Sequence, residues 1–148
     1  MITSKWLFGQ NCNEVLAVRS SVKDCIDSFD EKSMHLVIFN DDIPVGTGSL
    51  YFDKGAYNIA HMAVVPHMQR QYIGDLMIRM LLLRGFNMMA EKIQIKATSD
   101  TKEFFEKYGF RIIDEELFLM EVTPQTLVMN SKCGHDCSEC INKDSCQR

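Results

Sequence analysis

The stretch from His61 to Leu82, HMAVVPHMQRQYIGDLMIRMLL, decides the fold. Its first part belongs to an apolar run, AYNIAHMAVV (Ala56 to Val65), that ends at Pro66, whose missing N–H cannot continue a sheet ladder. A few residues later the period changes. Ile73, Leu76, Met77, Met80, Leu81 and Leu83 recur at helical spacing. A strand over Ala56 to Val65 therefore passes through a proline into a long helix over residues 69–90, with Gly85 suited to its C-terminal end. A helix that opens directly after a strand presents free backbone N–H groups and the positive end of its dipole, which makes a ready anion site.

Working upstream, MHLVIFN (Met34 to Asn40) is rich in β-branched and aromatic residues and reads as a strand. NDDIPVG follows as a turn, punctuated by Pro44 and Gly46, and Val45 to Phe52 returns as the antiparallel partner. Asp53 to Gly55, DKG, marks the next turn. Before these strands, Val15, Leu16 and Val18, then Val22, Cys25, Ile26 and Phe29, recur at three- and four-residue steps. They predict two short amphipathic helices between Asn13 and Asp30, with Asn13 and Ser21 as N-caps. Downstream, EKIQIKAT is a strand and SDTKEFFEKYGF a short helix, capped by Ser99 or Asp100 and stopped by Gly109. FRIIDEELFLMEV is a last strand or a hairpin. The order predicts an α/β domain with a mixed sheet over residues 1–122.

Composition narrows the function classes. With 148 residues, 46% of them hydrophobic and a formal charge of −4, the chain is sized for one domain that holds its core without metal or disulfide. The longest apolar run, LMIRMLLLRGF, is broken by Arg79 and Arg84 and falls short of the roughly 18 residues a membrane span needs. No membrane partner is expected. The start lacks the features of a secretory signal, so a cytoplasmic address is expected. No Lys/Arg cluster supplies the concentrated positive charge that a nucleic-acid backbone requires, so no nucleic-acid partner is expected either. Met77, Met80, Met88 and Met89 read as gap-filling core, and Cys12 and Cys25 as buried small hydrophobes.

Residues 123–148 differ in composition and read as a short, irregular, cysteine-rich extension. Cys133, Cys137, Cys140 and Cys146 crowd together there, with His135 among them. Thiols this close let one short loop wrap a soft metal, each sulfur reaching to about 2.3 Å. In a reducing compartment that favours zinc or an iron–sulfur cluster over a disulfide framework. The alternative is a tail of reactive thiols, or of two disulfides after air oxidation.

The strand, Val64, Val65 and Pro66, then Gln69 to Gly74 opening a long helix, then Phe104, Gly109 and Phe110 of TKEFFEKYGF, together resemble the GCN5-related N-acetyltransferase (GNAT) family. The order of elements from Cys12 to Val122 fits as well. The resemblance implies a mostly antiparallel central sheet flanked by helices, and transfer of an acetyl group from acetyl-CoA to a primary amine of a small molecule or peptide. It implies that the backbone amides of Gln69, Arg70, Gln71, Tyr72, Ile73 and Gly74 hold the diphosphate, with Arg70 adding a charged contact. The main chain of Met62, Ala63 and Val64 would meet the pantetheine arm. His61, on the strand bordering the acetyl group, is the candidate base, since its ordinary pKa of about 6.5 suits neutral pH.

Three positions depart from the family pattern. Tyr72 stands at the middle glycine, where phosphate usually approaches bare backbone, and weaker or altered binding would follow. Phe105 stands where a tyrosine often protonates the departing thiolate, leaving Tyr108, one turn on, as the substitute acid. Thr98 replaces a frequent asparagine and still offers a hydroxyl. These departures support a second reading: a catalytically silent GNAT-fold module whose cysteine tail senses metal or redox state. Acceptor identity and homodimer formation are left open by the sequence.

Overall fold

Two tight turns organise the first half of the sheet. In the computed structural model, which describes residues 1–9, 12–22 and 30–128, strands β2 (Met34–Asn40), β3 (Ile43–Asp53) and β4 (Ala56–Val64) form a meander. Asn40 pairs with Ile43 across Asp41 and Asp42, whose φ angles are 49° and 68°. Asp53 pairs with Ala56 across Lys54 and Gly55, at 51° and 81°. Left-handed residues at both central positions give the twist a two-residue hairpin needs. The first turn thus lies earlier than the sequence suggests. Pro44 and Gly46 belong to β3, and Pro44 is accommodated where the β2–β3 register shifts, after Ile38.

The remaining strands are β1 (Ile2–Phe8), β5 (Ile93–Lys96), β6 (Arg111–Asp114) and β7 (Leu119–Val122). The seven strands run in the order β1-β2-β3-β4-β5-β7-β6, and every neighbouring pair is antiparallel except β4 and β5. The sequence-based order omits β1. This edge strand is largely exposed, so it carries no apolar alternation; ladder bonds to β2 recruit it rather than a buried face. The β6–β7 hairpin realises the second of the two expectations for the last segment.

Helix α1 (Asn13–Val22) lies on one face of the sheet and α2 (Ile73–Asn87) on the other. α1 continues through Ser21, so no second helix is capped there; the rest of that expectation, with Cys25, lies outside the described residues. On the α1 face, buried Arg19 donates from Nη2 to Ser49 Oγ at 3.0 Å. Ser49 meets His35 Nδ1 at 2.6 Å, and His35 Nε2 donates to the Gly9 carbonyl at 2.9 Å.

Close approach of α2 depends on glycine. A Cβ at Gly46 would stand 2.9 Å from Met77 Sδ, one at Gly48 2.9 Å from Leu81 Cδ1, and one at Gly85 2.6 Å from Ile93 Cδ1. Gly85 is therefore a packing position inside α2, which runs on to Asn87, and not its terminator. The helix also begins later than its apolar spacing suggests. Pro66–Met68 form a 3-10 turn, and the chain does not enter α2 until Ile73.

Helix α3 (Lys102–Glu106) is preceded by a reciprocal threonine pair, not by a Ser99 or Asp100 cap. Thr98 N donates to Thr101 Oγ1 at 2.8 Å, and Thr101 N to Thr98 Oγ1 at 3.3 Å. Gly109, at φ 96°, ends the segment as expected. Beyond β7, Leu127 packs on the core and Val128 N donates to the Tyr108 carbonyl at 2.9 Å. Met77 is core, whereas Met89 is 86% exposed and fills nothing. Cys12 is half-buried, its thiol near the Phe8 and Gly9 carbonyls.

Candidate active site

The centre of the sheet opens where β4 and β5 part. They pair only from Tyr57↔Ile93 to Ile59↔Ile95, yet β4 continues to Val64 with β3 alone beside it. A bulge accompanies the separation. Thr47 pairs with Ala63 and Ser49 with Ala60, so His61 and Met62 together oppose Gly48. His61 takes a left-handed φ of 51°. An extra residue of this kind bends its strand, increases the local twist and re-aims the side chain. His61 thus sits half-exposed at the start of the gap, set there by backbone geometry.

Beyond the bulge the exposed backbone alternates. Val65 N donates to Val45 O at 2.8 Å, so Ala63 turns its groups toward β3 and Val64 turns its own toward the open side. There the Val64 carbonyl accepts from Gln69 Nε2 at 3.0 Å.

The loop into α2 has an alternating backbone. Gln69 is at φ −66°, Arg70 at 63° and Tyr72 at 63°, while Gln71 between the last two is not left-handed. Left-handed residues of this kind occur in the turns from which anion-binding concavities are built, with Gln69 itself extended at ψ 154°. The loop leads into the first turn of α2, where N–H groups have no intrahelical acceptor and Tyr72 supplies no side-chain cap. Tyr72 occupies a glycine-like conformation and is 66% exposed.

On the far side, Asp75 in the first turn of α2 receives two donors. The Tyr108 hydroxyl donates to Oδ1, and Arg79 Nε donates to Oδ2 at 3.1 Å. The Arg79 guanidinium also stands 5.7 Å from the centre of the Tyr108 ring. Tyr108 is a core ring with its proton committed to a carboxylate. Phe105 is buried edge-on between Phe104 and Phe110, at 5.2 and 5.7 Å.

The fold therefore brings His61, the β4 terminus and Gln69 to Gly74 to one end of the sheet, with Tyr108 linked to the same helix turn through Asp75. The Thr98 hydroxyl is engaged with Thr101 ahead of α3. Sequence reasoning missed Asp75 and Arg79. Their i, i+4 spacing is visible in the sequence, but the contact with Tyr108 across 33 positions is not. Among the described residues no group of three or more His, Cys, Asp or Glu could hold a metal; Cys133, Cys137, Cys140 and Cys146 lie outside them. No helix among the described residues is long and apolar enough to cross a membrane.

Residues 10–123 match the acetyltransferase (GNAT) domain family. An uncharacterized N-acetyltransferase of Bacillus subtilis, YjcF, is 23% identical over 104 residues, covering 70% of this chain and 74% of that protein. A GNAT family acetyltransferase from Elizabethkingia anophelis, solved with acetyl-CoA bound, is 24% identical with a TM-score of 0.63, covering 76% and 78% of the two chains. An acyl-CoA N-acyltransferase from Pseudomonas aeruginosa shares the fold at a TM-score of 0.70 and 14% identity, covering 82% and 96%.

Proposed function

This chain belongs to the GNAT acetyltransferase family, and from that membership we propose that it moves an acetyl group from acetyl-CoA to a primary amine of a small molecule or peptide. The observation that carries the reading is the alternating loop from Gln69 to Tyr72. It sets left-handed residues directly before the free N–H groups of a helix start, and those amides support the reading of a diphosphate site there. Acetyl-CoA bound to the Elizabethkingia relative supports the same co-substrate.

In this reading the amides of Gln69 to Gly74 and the Arg70 guanidinium hold the diphosphate. Pantetheine lies along Met62, Ala63 and Val64, and its amide displaces Gln69 from the Val64 carbonyl. The acceptor nitrogen attacks the thioester carbon, forming the C–N bond as the C–S bond breaks. His61 takes the proton from nitrogen, and the thiolate leaves with a proton from water or from Tyr108, once that hydroxyl is released from Asp75. Thr98 offers a hydroxyl at the rim. The chemistry runs in the cytoplasm, either on a monomer or on a homodimer.

Calorimetric titration of the reduced protein with acetyl-CoA tests the cofactor assignment. Micromolar affinity, about −8 kcal/mol, is expected; the absence of heat at high micromolar ligand would remove it. Phe105, which has no proton to give, favours a second reading, a silent binding module. Acetyl-CoA binding with no thiol release across a panel of amines would select that reading. For the tail we propose a four-thiolate zinc or iron–sulfur site at Cys133, Cys137, Cys140 and Cys146; with zinc the site is closed and structural in role.

A further inference from the structure

The loop contains a residue whose conformation is costly and whose side chain is largely exposed. Tyr72 is held at φ 63°, ψ 14°, a conformation that disfavours an L-residue with a bulky side chain. The residue is 66% exposed and its ring takes part in no ring or cation contact among the described residues. Glycine at this position would keep the loop path without the cost. Packing among the described residues therefore gives no reason for a tyrosine here, and the site beside it is where one would act.

The direction of the loop indicates which part of that ligand. Gln69 faces β4, because its amide reaches the Val64 carbonyl at 3.0 Å. Tyr72 lies at the opposite end, on the first turn of α2. For a molecule with its acyl-bearing arm along β4 and its diphosphate on the loop amides, the nucleoside is the part farthest from β4, on the helix side where Tyr72 stands. A flat, exposed phenol at that point matches a purine base, which offers a π-face and gains by stacking.

Resting on the acetyl-CoA reading above, we propose that Tyr72 is a specificity-determining residue: it stacks on the adenine of the cofactor and makes the protein select the nucleotide-bearing thioester over acyl-phosphopantetheine carriers. The residue that departs from the family's glycine thereby becomes a binding element instead of an obstruction.

Calorimetry on full-length protein, with acetyl-CoA and acetyl-phosphopantetheine as parallel ligands, tests this. Tyr72→Asn removes the ring but retains a residue tolerant of the left-handed region, and Tyr72→Phe retains the ring. Tyr72→Asn is expected to weaken acetyl-CoA binding roughly tenfold, toward the lower range for one base–aromatic stack, while leaving acetyl-phosphopantetheine unchanged. Tyr72→Phe should match the parent on both. Equal affinities in Tyr72→Asn and the parent would overturn the proposal, as would an equal loss on both ligands, which would assign Tyr72 to loop shape. A parent that binds neither ligand would remove the cofactor reading itself; a parent that binds both equally well would remove the adenine contact alone.

Discussion

The Tyr108 hydroxyl donates to Asp75 across 33 positions of sequence, tying the end of α3 to the first turn of α2. The other Asp75 oxygen is taken by Arg79 at 3.1 Å. A carboxylate suits the positive end of a helix, yet one beside an anion-binding loop repels the anion. Donors on both oxygens reduce that repulsion, and Arg79, which also faces the Tyr108 ring at 5.7 Å, returns a positive charge to the same turn.

Removing the phenolic oxygen should expose this tie. Tyr108→Phe keeps the buried ring and deletes one donor to a partly exposed carboxylate, for an expected loss of about 1 to 2 kcal/mol in urea unfolding. If the hydroxyl also supplies the thiolate's proton, kcat falls at saturating acetyl-CoA. An unchanged unfolding midpoint would show that the contact contributes nothing to stability.

His61 needs a substitution that respects its backbone. At φ 51° alanine adds strain of its own, whereas asparagine tolerates the left-handed region. His61→Asn is expected to lower kcat by roughly 10² or more, with acetyl-CoA affinity preserved, if the imidazole is the general base. Steady-state thiol release beside a binding titration separates the two quantities, and undiminished turnover would remove His61 from the mechanism.

Gly109 is fixed by geometry on two counts. Its φ is 96°, and a Cβ there would collide with the backbone carbonyl of Thr126. Gly109→Ala should destabilise by about 3 kcal/mol or more, since neither the strain nor the backbone clash can be relieved by turning a side chain. Chemical denaturation reads the loss; a change below about 1 kcal/mol would mean that residues 123–128 shift freely away from α3.

The tail is tested by its metal. Protein purified without oxygen should carry zinc or iron in near-stoichiometric amount, and a Cys137→Ser, Cys140→Ser double variant should lose it. Elemental analysis of the two samples decides, and equal metal content in both would refute the four-thiolate site.

Much of the fold was legible because its signals are local. The period change around Pro66 located β4 and α2 in sequence, and the run Met34 to Asn40 matched β2 residue for residue. β1 escaped notice for a physical reason: an edge strand is held by main-chain bonds to a neighbour, and side-chain pattern does not record them. Gly46 and Gly85 look like turn or end signals in a linear reading. Only the approach of α2 to the sheet makes them packing positions.

The sequence by itself determined the family-bearing segments, the strand-to-helix junction and the identity of the loop residues, because hydrophobic period, proline and motif spacing all act within a few residues. Tertiary structure decided what those residues can do. It placed His61 on a left-handed bulge, turned the Val64 carbonyl toward the gap, bent Arg70 and Tyr72 into glycine-like conformations and directed the Tyr108 proton to Asp75. Each of these depends on which strand or helix stands opposite, a relation that ladder register and packing create and that the order of residues along the chain does not state.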